Sequence, residues 1–230
     1  MNFLFAAFFL FTLGALLAVI PGRTAARAAT ILGSGSAILG CLCGLIAAGQ
    51  GLIAGGAEAF FLAWSMPGGA FSLRLDGLSA FFLLPLFVVG LAGALYGAEY
   101  MRGGRERRRP GLHWTWYNLL ILSMALVVTA ANGLLFLFAW ECMSLTSFFL
   151  VISEYDLAEA VEAGWTYLLA THLGAAFLFA FRPSSFRQSG VCLFSGTRPA
   201  FAPGGFRAFS PAAGRLRQQG RDFPLPCLVA

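Results

Sequence analysis

Apolar residues in this chain gather into long blocks separated by short polar breaks. Six blocks stand out: Phe3 to Ile20, about Ala28 to Ala54, Leu78 to Ala98, Trp116 to Ala131, Gly133 to Ile152 and Trp165 to Phe181. About 20 residues at a rise of roughly 1.5 Å cross a hydrocarbon core of roughly 30 Å. The pattern therefore predicts an all-α polytopic membrane protein with about six transmembrane helices. The first block stops at Pro21-Gly22-Arg23. A signal peptide is the rival reading there, but Met1-Asn2 supplies no basic lead and the apolar run is long, which favours a retained helix. The second block is rich in Gly and Ala, which permits close helix packing in lipid.

Between the second and third blocks the period changes. Ala59 to Leu75 breaks at Pro67-Gly68-Gly69, and Phe71, Leu73 and Leu75 alternate with Ser72, Arg74 and Asp76. A period of two predicts a short hairpin at the membrane surface. Asp76 then stands where a side-chain oxygen would cap the third helix. Tyr96 and Tyr100 close that helix as interfacial anchors. Trp114, Trp116 and Tyr117 read as an aromatic belt ahead of the fourth span, with His113 in a basic interfacial loop. After Phe181 the periodicity ends: residues 182–230 carry seven arginines and six prolines. This stretch is expected to be a disordered basic tail, or the product of a shifted reading frame. In the frame displaced by one base, Gln219-Gly220 encodes lysine or arginine, and Leu216 to Ala230 can be read as FGSKGGIFPFHVWLP.

One residue breaks the rule of the fifth block. Glu141 stands near the middle of GLLFLFAWECMSLTSFFLVI, and a carboxylate at that depth costs about 2.5–3.5 kcal/mol on insertion scales. Acids kept at that cost face a bundle interior or a water-filled path, and they mark ion or proton routes. Ser144, three residues on, would extend a polar strip on the same helix face, or would simply hydrogen-bond its own helix. His172, on the sixth block, could relay protons, since an unperturbed imidazole titrates near pH 6.5, or could pack between helices. The candidate proton pathway is thus Glu141, His172 and Ser144.

Composition narrows the alternatives. Apolar residues make up 59% and charged residues 11%, with 24 phenylalanines, beyond the range of a soluble domain. The formal charge of +5 comes from arginines between apolar runs and in the tail. No basic face interleaved with aromatics appears, so no nucleic-acid partner is expected. Cys41, Cys43, Cys142, Cys192 and Cys227 follow neither metal-ligand nor disulfide spacing and read as small apolar fillers. No cofactor is expected. All fifteen basic residues are arginine, so no lysine is available to pair with Glu141.

Arginine placement orients the bundle. Arg23 and Arg27 follow the first span, and Arg102, Arg105, Arg107, Arg108 and Arg109 follow the third. These loops share one side, which the positive-inside rule makes cytoplasmic. The expected location is the cell's inner (plasma) membrane. The arginine cluster at 105–109 serves as a topogenic signal or as a contact for anionic lipid or a soluble subunit.

Four segments carry a resemblance: DGLSAFFL at Asp76–Leu83, the pair Tyr96 and Tyr100, FLFAWECMSLTSFFLV at Phe136–Val151, and AGWTYLLATHLGAAFLFAF at Ala163–Phe181. In this order, residues 71–181 resemble the antiporter-like, proton-translocating membrane subunits shared by respiratory complex I, multisubunit sodium/proton antiporters and group 4 hydrogenases. The WE-containing helix with YLLATHLG is most similar to the hydrogenase-4 and formate hydrogenlyase branch. The resemblance implies a proton half-channel at Glu141, paired in the family with a lysine on a later broken helix. The string obtained in the displaced frame is similar to that helix. The resemblance further implies partner membrane and hydrogenase subunits within a lipid bilayer, with redox chemistry elsewhere in the complex. Without the later partner groups this chain alone is expected not to move protons. A subunit of NADH-quinone oxidoreductase or of a sodium/proton antiporter is the alternative, and a structural scaffold in the membrane is the alternative of another class.

Overall fold

A computed structural model describes residues 1–19, 26–54, 56–62, 71–102, 110–152 and 158–180. The elements run in the order α1 (Asn2–Val19), α2 (Ala26–Ala54), β1 (Glu58–Leu62), β2 (Phe71–Leu75), α3 (Gly77–Arg102), α4 (Pro110–Thr129), α5 (Gly133–Val151) and α6 (Ala158–Ala180). The chain is an all-α multi-pass membrane protein with one small hairpin. Among the described residues, α1 to α5 are each long and apolar enough to cross a bilayer. The sixth expected span falls on α6, a helix of 23 residues that is not among the five long and apolar enough to cross within the described residues. The expected tail at 182–230, the loop arginines 105–109 and the Pro67-Gly68-Gly69 break lie outside the described residues.

Helices α1 to α4 pack into one core, and small residues let them approach. Leu4, Ala7 and Phe11 of α1 meet Cys41, Ala47 and Ala48 of α2, Leu83 and Phe87 of α3, and Ile121 and Ala125 of α4. Glycines on α2 receive the large side chains. A Cβ on Gly40 would lie 2.7 Å from Phe11 Cε1, and one on Gly44 would lie 2.5 Å from Phe87 Cζ. The two rings stack at 6.2 Å. Several hydroxyls within the spans are satisfied by their own helices: Ser34 donates to the Thr30 carbonyl, Thr129 to Ala125 and Thr146 to Cys142. That arrangement removes the cost of carrying hydroxyls through lipid.

The expected hairpin is present. β1 and β2 pair antiparallel with Glu58 opposite Leu75 and Leu62 opposite Phe71. Leu73 and Leu75 face inward and are buried, while the polar alternates lie on the other face. The hairpin sits at the end of the bundle that holds the start of α1, where Phe60 meets Phe5 edge-on at 4.8 Å. It also grips the turn between α4 and α5. Ala131 N–H donates to the Ser72 carbonyl at 3.0 Å, and Leu73 bridges Ala130. Ser79 at the start of α3 donates to Val128 at 3.1 Å. Arg27 and Arg102 fall at the opposite end of the bundle, on the start of α2 and the last residue of α3. Arg27 and Arg102 thus lie at one end and the hairpin at the other.

The aromatic belt turns out differently. Helix α4 begins at Pro110, and proline suits a first helical position because its missing N–H would be unpaired there anyway. His113, Trp114, Trp116 and Tyr117 are therefore helical. Trp114 is fully buried in a second cluster with Ala18, Ala37 and Ala94. Gly33 makes room for it, since a Cβ there would lie 2.4 Å from Trp114 Cβ. Trp116 stacks on Phe149 of α5 at 4.4 Å, and the Tyr117 hydroxyl donates to the Gly90 carbonyl of α3 at 2.6 Å. His113 stacks on Tyr117 at 6.3 Å. Trp114, Trp116 and Tyr117 join α4 to its neighbouring helices. Tyr96 and Tyr100 do stand outward, ring on ring at 5.8 Å near the arginine end.

Candidate proton site

The fifth helix is fixed at its start. Asn132 adopts an extended backbone and its side chain accepts from Leu134 N–H at 2.9 Å, an N-cap at the turn that β2 grips. From there α5 carries Glu141 to mid-helix, ten residues before its last residue, Val151. Helix α6 returns alongside, with Trp165 against Phe148 at 5.5 Å. Gly164 lets the two approach, since a Cβ there would lie 2.8 Å from Ile152 Cγ2.

Fourteen residues into α6, His172 comes level with Glu141. Its Nε2 lies 3.2 Å from Glu141 Oε2, with side-chain exposures of 45% and 29% respectively. Its other ring nitrogen, Nδ1, lies 2.9 Å from the Leu168 carbonyl. A carbonyl oxygen only accepts, so Nδ1 carries a hydrogen. In the neutral ring Nε2 is then the bare nitrogen, aimed at the carboxyl. A hydrogen bond between Nε2 and Oε2 requires one proton between them, in a carboxylic acid facing an imidazole or a carboxylate facing an imidazolium. Two of the three expected pathway residues are thus brought together across two helices.

Ser144 is placed otherwise. It is fully buried, and its hydroxyl donates to the Trp140 carbonyl at 2.8 Å, with a longer 3.4 Å contact to the Glu141 carbonyl. Its bonds go to the backbone of its own helix. Beside it, the Trp140 indole nitrogen is buried without a hydrogen-bond partner among the described residues. Asp76 does cap α3, accepting from Ser79 N–H at 2.8 Å, and Arg74 Nε stands 3.7 Å from its other oxygen. The Ser79 N–H, its hydroxyl and Arg74 together hold the Asp76 carboxyl below the usual carboxylate range against the opposing effect of burial. Cys41 is buried, Cys43 and Cys142 are partly so, and all three are free thiols.

The pairing of Glu141 with His172 was not apparent from the sequence, which named the two separately. A signal existed: the consecutive stretches Gly133–Ile152 and Trp165–Phe181 carry one carboxyl or imidazole each, Glu141 and His172. What the sequence lacks is the rotational phase of α6.

Comparison with known proteins gives one family match over these helices. Residues 130–195 match the family described as NADH:quinone oxidoreductase/Mrp antiporter, TM. The match takes in Glu141 and His172 and continues past Phe181. The chain is 31% identical over 134 residues to hydrogenase-4 component B of Escherichia coli, covering 58% of this chain and 20% of that protein. It is 32% identical over 107 residues to a putative antiporter subunit mnhA2 of Staphylococcus saprophyticus, covering 46% and 13%. It is 31% identical over 160 residues to NADH-quinone oxidoreductase subunit L of Mycobacterium tuberculosis, covering 68% and 25%. The matched part thus spans a quarter or less of each of these relatives.

Proposed function

We propose that this chain, a member of the NADH:quinone oxidoreductase/Mrp antiporter family of membrane subunits, handles protons at the Glu141–His172 pair. The observation that carries this reading is the 3.2 Å contact between the two side chains, with Nδ1 held on the Leu168 carbonyl. Within this reading His172 supplies the mid-membrane partner that an arginine-only chain otherwise lacks. The proton passes between Oε2 and Nε2 without changing the net charge of the pair. A neutral pair avoids the cost of a lone charge at that depth.

The assembly proposed is a membrane-bound hydrogenase or formate hydrogenlyase complex in a bacterial plasma membrane, in keeping with the likeness to hydrogenase-4 component B. The redox chemistry would lie in its partner subunits. The likenesses to antiporter subunit mnhA2 and to NADH-quinone oxidoreductase subunit L favour a second assembly, an antiporter or a quinone-reducing complex. The pair would act alike in either.

The test is proton uptake in inside-out vesicles carrying the assembled complex, with subunit association followed in parallel. Glu141→Gln and His172→Gln keep size and hydrogen bonding while removing titration. Both are expected to lower uptake at least tenfold with assembly intact, in line with the roughly 10²–10⁴-fold worth of a positioned acid–base group. Normal uptake by Glu141→Gln would make the acid structural.

A further inference from the structure

The carbonyl that orients His172 has another claimant. Leu168 O lies 2.9 Å from His172 Nδ1 and also 3.0 Å from the Thr171 hydroxyl. It stands, besides, at the i−4 position of the His172 backbone N–H within α6. A carbonyl oxygen has two lone pairs, so three donors compete for it.

We propose that Thr171 is a positioning residue that sets where the shared proton of the Glu141–His172 pair rests. The inference rests on the proton-handling reading of that pair. A histidine that donates firmly from one ring nitrogen becomes a better base at the other. Each electron pair that Leu168 O gives to the Thr171 hydroxyl is withdrawn from Nδ1–H. Thr171 therefore weakens the support of the imidazole and tips the proton toward Glu141 Oε2. It touches neither reacting atom and acts through the Leu168 carbonyl alone. The described titratable side chains of α5 and α6 are Glu141 and Cys142, and Glu162, Tyr167 and His172. Among them Glu141 is the one within hydrogen-bonding reach of the imidazole, so no second acid among the described side chains of these helices competes for the ring.

The experiment uses the full chain in lipid vesicles, labelled with 15N-histidine in a His113→Gln background so that a single imidazole reports. Thr171→Val keeps the shape and removes the hydroxyl; Thr171→Ser keeps the hydroxyl. At one fixed pH, Thr171→Val is expected to raise the imidazolium-to-imidazole ratio about threefold, a fraction of the roughly tenfold worth of one hydrogen bond. The infrared band of the protonated Glu141 carboxyl, identified by its loss in Glu141→Gln, should fall in parallel. Thr171→Ser should restore wild-type values. An unchanged ratio in Thr171→Val, or one that Thr171→Ser fails to restore, overturns the inference and leaves the Glu141→Gln uptake result untouched. Normal uptake by Glu141→Gln overturns the proton-handling reading instead, whatever the spectra show.

Discussion

The Gly44–Phe87 contact offers a quantitative test of how the first four helices are held. A Cβ at Gly44 would stand 2.5 Å from both Cε2 and Cζ of Phe87 and 2.7 Å from Cδ2. Carbon pairs prefer about 3.5–4.0 Å, so the ring must retreat by about 1 Å. It has little room. Phe87 is fully buried and stacked on Phe11, whose own ring edge would meet a Cβ on Gly40 at 2.7 Å. Gly44→Ala should therefore cost about 1–3 kcal/mol, the usual scale for overpacking. Phe87→Leu deletes the two nearest of these ring atoms, Cε2 and Cζ, and leaves a partial void, at a cost of about 1–2 kcal/mol. In the double variant the new methyl occupies part of that void. The combined cost should fall short of the sum by about 1–2 kcal/mol. Reversible unfolding in mixed lipid and sodium dodecyl sulfate micelles, followed by circular dichroism, measures all four corners of the cycle. Costs that add within about 0.5 kcal/mol would refute the packing reasoning, because sites that do not touch add to that precision.

Three further outcomes are expected. Asp76→Ala should destabilise the start of α3 by about 1 kcal/mol at neutral pH, while Asp76→Asn keeps the cap and costs less. Because the folded carboxyl lies below its ordinary value of 3.8, its contribution is present above that pH and is lost as pH falls through the lower folded value. An acid titration of unfolding should show that step in the native chain and not in Asp76→Asn. Asn118 is fully buried and donates to Gly33 O of α2 at 3.0 Å as well as to Trp114 O at 2.8 Å. Asn118→Leu should weaken the α2–α4 association by about 0.6–1.7 kcal/mol, measured in the same micelles. Finally, in a cysteine-free background, Gly56→Cys and Arg102→Cys should label from opposite sides of the membrane, with Arg102→Cys cytoplasmic; labelling from one side would sink the topology.

The helices were legible because a bilayer demands long uninterrupted apolar runs, and the hairpin because Phe71, Leu73 and Leu75 alternate with polar neighbours. Helix ends were less so. The start of α4 moved from Trp116 to Pro110 because Trp114 reads as an interfacial residue, yet here it fills the space left by Gly33. That fit depends on two helices whose relative rotation no local pattern records. Glu141 could be singled out from its cost alone. Its partner could not, since the pairing needs the phase of α6 as well as the depth of His172. The same limit applied to Ser144: its spacing from Glu141 suggested a shared polar face, but its hydroxyl turns onto the Trp140 carbonyl.

Where the pair sits constrains how protons could reach it. Under the proposed reading, the cost of about 2.5–3.5 kcal/mol for a single charge at mid-membrane opposes net gain or loss of a proton by the pair. Net uptake or release then needs water, or a partner group, at the moment the charge changes. Among the described residues on the buried side of α5, Ser144 spends its hydroxyl on backbone carbonyls. The open side is that of α6, where the imidazole is 45% exposed and the carboxyl 29%. Trp165, Leu169, Leu173 and Phe177 stand exposed on the same helix, one turn apart. That apolar stripe would not by itself stabilise a charge. Exchange of the shared proton with the outside thus requires polar groups or water brought against α6. Under the proposed reading, the pair built from α5 and α6 holds and passes a proton, while loading and unloading it fall to whatever covers that face.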